Sequence, residues 1–158
     1  TGKSRLALEL KPRACQWQGM FCLGRFEFQQ VGAEPYGGIK QAFGDLFTQV
    51  LDMATATDGQ EACFRDFQQS LSSHLSNDQL RILTPILPEL VQCCEHGSVE
   101  VPPDNEEEAM VHSQEGHKAV ERLNAAFKDL MNALTSSLEG PLVFVCDDIQ
   151  WADESSVN

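Results

Sequence analysis

Five apolar residues stand in a row from Leu142 to Cys146, with Gly140-Pro141 before them and Asp147-Asp148 after them. A run this short, rich in β-branched side chains, predicts a strand buried on both faces. A second strand is predicted between Gly19 and Phe28. There Met20, Phe21, Cys22 and Leu23 are followed by Phe26 and Phe28, which alternate with Arg25 and Glu27. The segment 32–35 reads as a loop. From Tyr36 onward the spacing changes to threes and fours. Ile39, Ala42, Phe43, Leu46, Phe47, Val50, Leu51 and Ala54 share one face of an amphipathic helix that the segment 55–59 ends. Cys63, Phe64, Phe67 and Leu71 mark a shorter helix.

Ser76-Asn77-Asp78-Gln79 has the spacing of a capping box, in which the serine caps the helix and the glutamine reaches back to it. The helix it opens carries Leu80, Leu83, Leu87 and Leu90. Pro85 and Pro88 divide it, since proline lacks an amide donor and crowds the preceding turn. Residues 97–108 read as an exposed loop, and the neighbourhood of Pro102 is the one domain boundary worth considering. A last long helix follows, with Val120, Leu123, Phe127, Leu130, Met131, Leu134 and Leu138, and Gly140 is expected to stop it. At the start of the chain Gly2-Lys3-Ser4 leads into Leu6, Leu8 and Leu10, a helix expected to be limited by Pro12.

The pattern therefore predicts two strands bracketing a large helical stretch, and 158 residues suffice for one domain with a real core. A formal net charge of −13 argues against a nucleic-acid or anionic-membrane surface, because both attract basic patches. No apolar run is long enough to span a bilayer, and no signal-peptide pattern is present. The six cysteines lack a disulfide-framework spacing and read as reduced thiols of a cytoplasmic protein. The chain starts at Thr1 and stops at Asn158, just after an expected helix start. Both ends read as cuts in a longer chain.

Two motifs carry chemistry. Gly2-Lys3-Ser4 at a helix start is the second half of a phosphate-binding loop, whose first glycine would precede Thr1. The helix N-terminus offers free amides and partial positive charge. A lysine ammonium can reach the β- and γ-phosphates, and the adjacent hydroxyl can ligate magnesium. Asp147 and Asp148 stand where the second strand leaves the sheet, the end at which open α/β folds hold ligands. One carboxylate there can hold magnesium and the other can orient or deprotonate an attacking water. On a purely structural reading the pair begins a turn and Asp153 caps the next helix. Cys93-Cys94-Glu95-His96, with His112 or His117, lacks zinc-ligand spacing, so the two cysteines read as packing residues. Glu106 to Glu108 read as a solvated run, Arg25 and Glu27 as the wet side of a strand, and Trp17 and Trp151 as packing anchors.

The segment PLVFVCDDIQWADES, Pro141 to Ser155, resembles the Walker B segment of AAA-type P-loop ATPases of the origin-recognition-like group. GMFCLGRFEFQQ with PYGGIKQAF, and ILPELVQ at Ile86 to Gln92, are similar to members fused to protein kinase or histidine kinase modules. The resemblance implies an α/β P-loop NTPase fragment, with a parallel sheet and a large helical insert between its two strands. Residues 1–30 would hold the Walker A helix and second strand, 31–139 the insert, and 140–158 the Walker B strand and the start of the next helix. It implies ATP and Mg²⁺ bound by Thr1, Gly2, Lys3, Ser4 and Arg5, with Ser4 and Asp147 on the metal. Asp148 would take the catalytic place where many AAA proteins carry glutamate. The expected function is a slowly hydrolysing Mg-ATP switch in a multidomain signalling protein, working with other domains of the same polypeptide. The alternative is an interaction scaffold that keeps the fold without productive turnover.

Overall fold

The two predicted strands pair in parallel in a computed structural model of the chain, which describes residues 2–27, 35–55, 61–94, 113–153 and 156, the side chains of 113–117 excepted. β1 is Met20–Arg25 and β2 is Leu142–Asp147, in a register that sets Met20 opposite Leu142 and Arg25 opposite Asp147. The ladder extends at both ends, since the Met20 amide donates to the Pro141 carbonyl at 2.9 Å and the Phe26 amide to the Asp147 carbonyl at 3.1 Å. A parallel pair needs a long crossover, and here the chain makes it through helices. These are α3 (Gly37–Thr55), α4 (Glu61–His74), α5 (Asn77–Leu83), α6 (Leu90–Cys93) and α7 (Ser113–Ser137).

The strand ends meet their neighbours backbone to backbone. A Cβ on Gly24 would lie 2.1 Å from the Gly38 carbonyl oxygen, so only glycine lets the first turn of α3 settle on the end of β1. At the other end, a Cβ on Gly140 would lie 2.2 Å from the Trp17 carbonyl oxygen. Gly140 thus serves this crossing; α7 already ends at Ser137, short of the expected stop.

α3 carries the core. Ala42, Phe43, Leu46, Phe47 and Val50 are buried along one face, as the periodicity predicts, against Met20 and Cys22 of β1. Gln49 Nε2 donates to the Phe21 carbonyl at 2.8 Å, tying the helix to the strand. The Phe43 ring lies 5.4 Å from Phe144 and 5.8 Å from Phe127, in tilted contacts that join β2 and α7 to the same centre. Leu71, Leu83, Leu87, Leu90, Leu130 and Leu134 complete one continuous cluster. Ser70 Oγ donates to the Ala133 carbonyl at 2.8 Å, and Gln79 Nε2 to Asp129 Oδ2 at 2.6 Å, fixing α4 and α5 against α7. The capping box is present in both directions: Ser76 Oγ accepts from the Gln79 amide, and Gln79 Oε1 accepts from the Ser76 amide. Pro85 and Pro88 fall between α5 and α6, as expected.

Other expectations need correction. β2 is only partly buried, because α3 and α2 (Leu10–Gln16) pack chiefly on β1 and cover β2 much less. Pro12 does not limit the first helix. It lies inside α2 (Leu10–Gln16), and the break falls earlier, at Glu9, between α1 (Gly2–Leu8) and α2. The missing Pro12 amide and its ring act on the carbonyl four residues back, at Leu8, so the discontinuity belongs there. Trp17 is 66% and Trp151 47% exposed, so neither anchors a core. The expected loop at 97–108 and the segment 56–59 lie outside the described residues, as do Phe28 and the segment 32–34 of the first expected loop.

The glycine contact gives a matched pair of predictions. Gly24→Ala should lower the urea-unfolding free energy by about 1–3 kcal/mol through overpacking. Gly37→Ala, whose Cβ would meet nothing within 4 Å, should be neutral or slightly stabilising.

Candidate functional site

The carboxyl ends of β1 and β2 bring Arg25, Asp147 and Asp148 together. Asp147 is the last residue of β2, and its side chain is 14% exposed. Its Oδ1 accepts from the Asp148 amide at 3.1 Å. Its Oδ2 is buried and has no hydrogen-bond partner among the described residues. The nearest charge is Arg25 Nε at 3.7 Å, close enough for ionic attraction and too long for a hydrogen bond. A buried carboxylate oxygen without a hydrogen bond is costly, and here the Arg25 charge offsets that cost only in part. A carboxylate oxygen is the kind of ligand magnesium takes. Among the described residues, however, no three His, Cys, Asp or Glu side chains stand together to hold an ion, so one bound there would keep waters or ligand oxygens.

Asp148 differs in every respect. Its backbone is left-handed, at φ 56° and ψ 39°, a conformation aspartate tolerates better than most residues. That reversal turns the chain into a 3-10 turn at Ile149–Trp151 and leaves Asp148 exposed. Gln150 Nε2 donates to its Oδ1 at 3.1 Å. The two adjacent carboxylates thus have separate environments, one half-enclosed and one wet.

Asp153 anchors the end of this turn. Its Oδ1 accepts from the Ser156 amide at 2.9 Å, the capping contact expected for the next helix, and Ser156 Oγ donates to Oδ2 at 2.5 Å. Oδ2 also accepts from the Tyr36 amide at 3.2 Å, which bridges to the residue before α3. Tyr36 sits at φ 62°, and its carbonyl accepts from the Lys40 amide at 2.7 Å. Burial pushes the Asp153 carboxyl up, but the hydrogen bonds from Ser156 and Tyr36 outweigh it and hold the group below its ordinary 3.8.

The other half of the predicted site stands apart. Gly2, Lys3, Ser4 and Arg5 lie in α1, a helix with no buried residue, and Leu6 is 68% exposed. Among the described residues, no hydrogen bond or ion pair joins this segment to Asp147 or Asp148; Thr1 lies outside them. Lys3 instead borders a groove with Leu6, Leu10, Pro12 and Arg13. The chain begins its helix as predicted, yet the described residues hold no strand beneath α1 against which its leucines could pack.

Sequence reasoning missed two residues. Arg25 lies on the solvent side of its strand, as expected, but its side chain also sits beside Asp147, a pairing that follows only from aligning the ends of the two strands. The tie from Asp153 to Tyr36 spans 117 positions in sequence and leaves no local signal. The cysteine cluster is a packing element: Cys93 is fully buried, and burial pushes its thiol up to about 12, helped by Cys94 and Glu89. Cys22 is pushed up to about 12 by burial, then by Asp45 and Cys146. Neither thiol is an available nucleophile near neutral pH. His96 and His112 lie outside the described residues, and so does the His117 side chain.

The parallel strand pair and the helices that connect it are consistent with a P-loop-like α/β fold. The whole chain, residues 1–158, matches the AAA ATPase domain family, and it belongs to that family. No curated protein and no solved structure matches it. Membership implies nucleotide binding, usually with Mg²⁺. No helix among the described residues is long and apolar enough to cross a membrane.

The Asp153 contacts predict an acid-dependent cap. Asp153→Ala should cost about 1 kcal/mol at pH 7, the usual value of a helix cap. A carboxyl held low contributes fully above its ordinary 3.8 and loses the contribution as pH falls through the lower folded value. Wild type and variant should therefore converge in urea-unfolding series taken from neutral pH into strong acid.

Proposed function

We propose that the chain is the Mg-ATP-binding domain of a multidomain signalling ATPase of the origin-recognition-like AAA group, acting as a slow switch. Residues 1–30, 31–139 and 140–158 are its Walker A helix and second strand, a helical insert, and its Walker B segment. The observation that carries this reading is the buried Oδ2 of Asp147, which has no hydrogen-bond partner among the described residues, at the end of a parallel strand in a chain that belongs to the AAA family. Lys3 provides the flexible ammonium for the phosphates, and the amides of Gly2 to Arg5, with Thr1, contribute to the cradle. Ser4 and Asp147 are the metal ligands. Magnesium, when bound, neutralises charge on the β- and γ-phosphates. Asp148 orients the attacking water and accepts its proton, a task for which its exposure and conformational separation from Asp147 suit it.

Kinase or histidine kinase modules on the same polypeptide are the proposed partners, with neither nucleic acid nor membrane involved. The free cysteines support a reducing, cytoplasmic setting. One observation favours a second reading, a scaffold without productive turnover. Asp148 is a methylene shorter than glutamate, and one of its oxygens is already engaged by Gln150.

Mutation separates the roles in the full-length protein. Lys3→Ala and Asp147→Ala should each weaken Mg-ATP binding by about tenfold or more, as loss of a charge-assisted contact implies. Asp148→Asn should leave binding intact and slow turnover by about 10²-fold. Calorimetry and single-turnover hydrolysis report the two effects. Equal loss of binding in the Asp147 and Asp148 variants would contradict the division of labour, and absent turnover in wild type would favour the scaffold.

A further inference from the structure

Arg25 is fixed in place from two sides. Its amide donates to Gln41 Oε1 of α3 at 2.8 Å, and the residue before it, Gly24, packs directly on Gly38. Its register partner is Asp147, so the two side chains leave the same face of the sheet at neighbouring positions. Its guanidinium approaches the one Asp147 oxygen that lacks a hydrogen-bond partner. Yet the contact is loose, at 3.7 Å, and the Arg25 side chain is 47% exposed, so it can leave Asp147 without opening the core.

We propose that Arg25 sets the cation preference of the site: it balances the charge of Asp147 until a metal–nucleotide complex arrives, and it discriminates against the free divalent ion. This rests on the assignment of Asp147 as a metal ligand. The physical reason is competition for one oxygen. A divalent ion approaching Oδ2 meets the adjacent guanidinium and is repelled, and within a few ångströms in a partly enclosed site that repulsion is poorly screened. A nucleotide brings its own negative charge, which offsets the repulsion and gives the displaced guanidinium an anion to face. The free ion brings no such compensation. Arg25 is thus a specificity-setting residue acting through Asp147, and it takes no part in bond breaking.

The test uses Mn²⁺ as a paramagnetic probe of the full-length protein, titrated alone and with ATP. Arg25→Gln should bind free Mn²⁺ about tenfold more tightly than wild type, as removal of a close like charge implies, with a smaller gain for Mn²⁺ with ATP. Arg25→Lys keeps the charge and should stay near wild type. If the guanidinium shape mattered only for packing, Lys and Gln would behave alike, and that result overturns the proposal. So does unchanged or weaker free-Mn²⁺ binding in Arg25→Gln, or an equal gain with and without ATP. Asp147→Asn separates the two levels of inference. It should abolish the bound Mn²⁺ signal in both Arg25 backgrounds, and a signal that survives it removes Asp147 as the ligand and the proposal with it.

Discussion

The structure depends on one constraint, the in-register parallel pairing of β1 and β2. Six residues face six, from Met20 opposite Leu142 to Arg25 opposite Asp147. A slip of one residue would send each side chain of a strand to the other face. Phe144 would leave the Phe43 ring, and Asp147 would leave Arg25. The register is held by backbone approaches at both ends, where Gly24 meets Gly38 and Gly140 meets Trp17. It is also held by α3, whose buried face covers β1 and whose Phe43 reaches β2. The helices from α3 to α7 therefore close the crossover and also fix where the two strand ends finish.

Charge then follows from position. Because both strands end together, a cationic and an anionic residue are delivered to the same spot, and the Asp147 oxygen facing Arg25 is buried without a hydrogen bond. The left-handed turn at Asp148 separates the second carboxylate from the first, and Asp153 binds the turn back to Tyr36 ahead of α3. The acidic end of β2 is thereby coupled to the helix that builds the core.

Much of this was legible in the sequence, because it rests on short-range rules. The apolar period of α3, the reciprocal cap at Ser76 and Gln79, the division at Pro85 and Pro88, and the two strands all come from spacing and side-chain chemistry. What stayed hidden depends on partners distant in sequence. Whether Leu142 to Cys146 is buried depends on which helices cover the strand, and hydrophobicity alone cannot say that α3 settles mainly on β1. Trp17 and Trp151 look like anchors by composition, but both are exposed. Arg25 is a solvent-side residue, as its alternation predicts, and only the register shows that it stands opposite Asp147. Of the candidate site, the acidic pair lies at the carboxyl end of β2 beside Arg25, while Lys3 and Ser4 lie on an exposed helix that no contact among the described residues joins to it.

The central claim is that these two halves hold one nucleotide. The most direct measurement is a crystal structure of the full-length protein with Mg²⁺ and a non-hydrolysable ATP analogue. The expected result is a metal ion ligated by Asp147 and Ser4, phosphates against Lys3 at the start of α1, and Arg25 displaced from Asp147. A nucleotide bound elsewhere, or bound at α1 with Asp147 still facing Arg25 and remote from the metal, would contradict it.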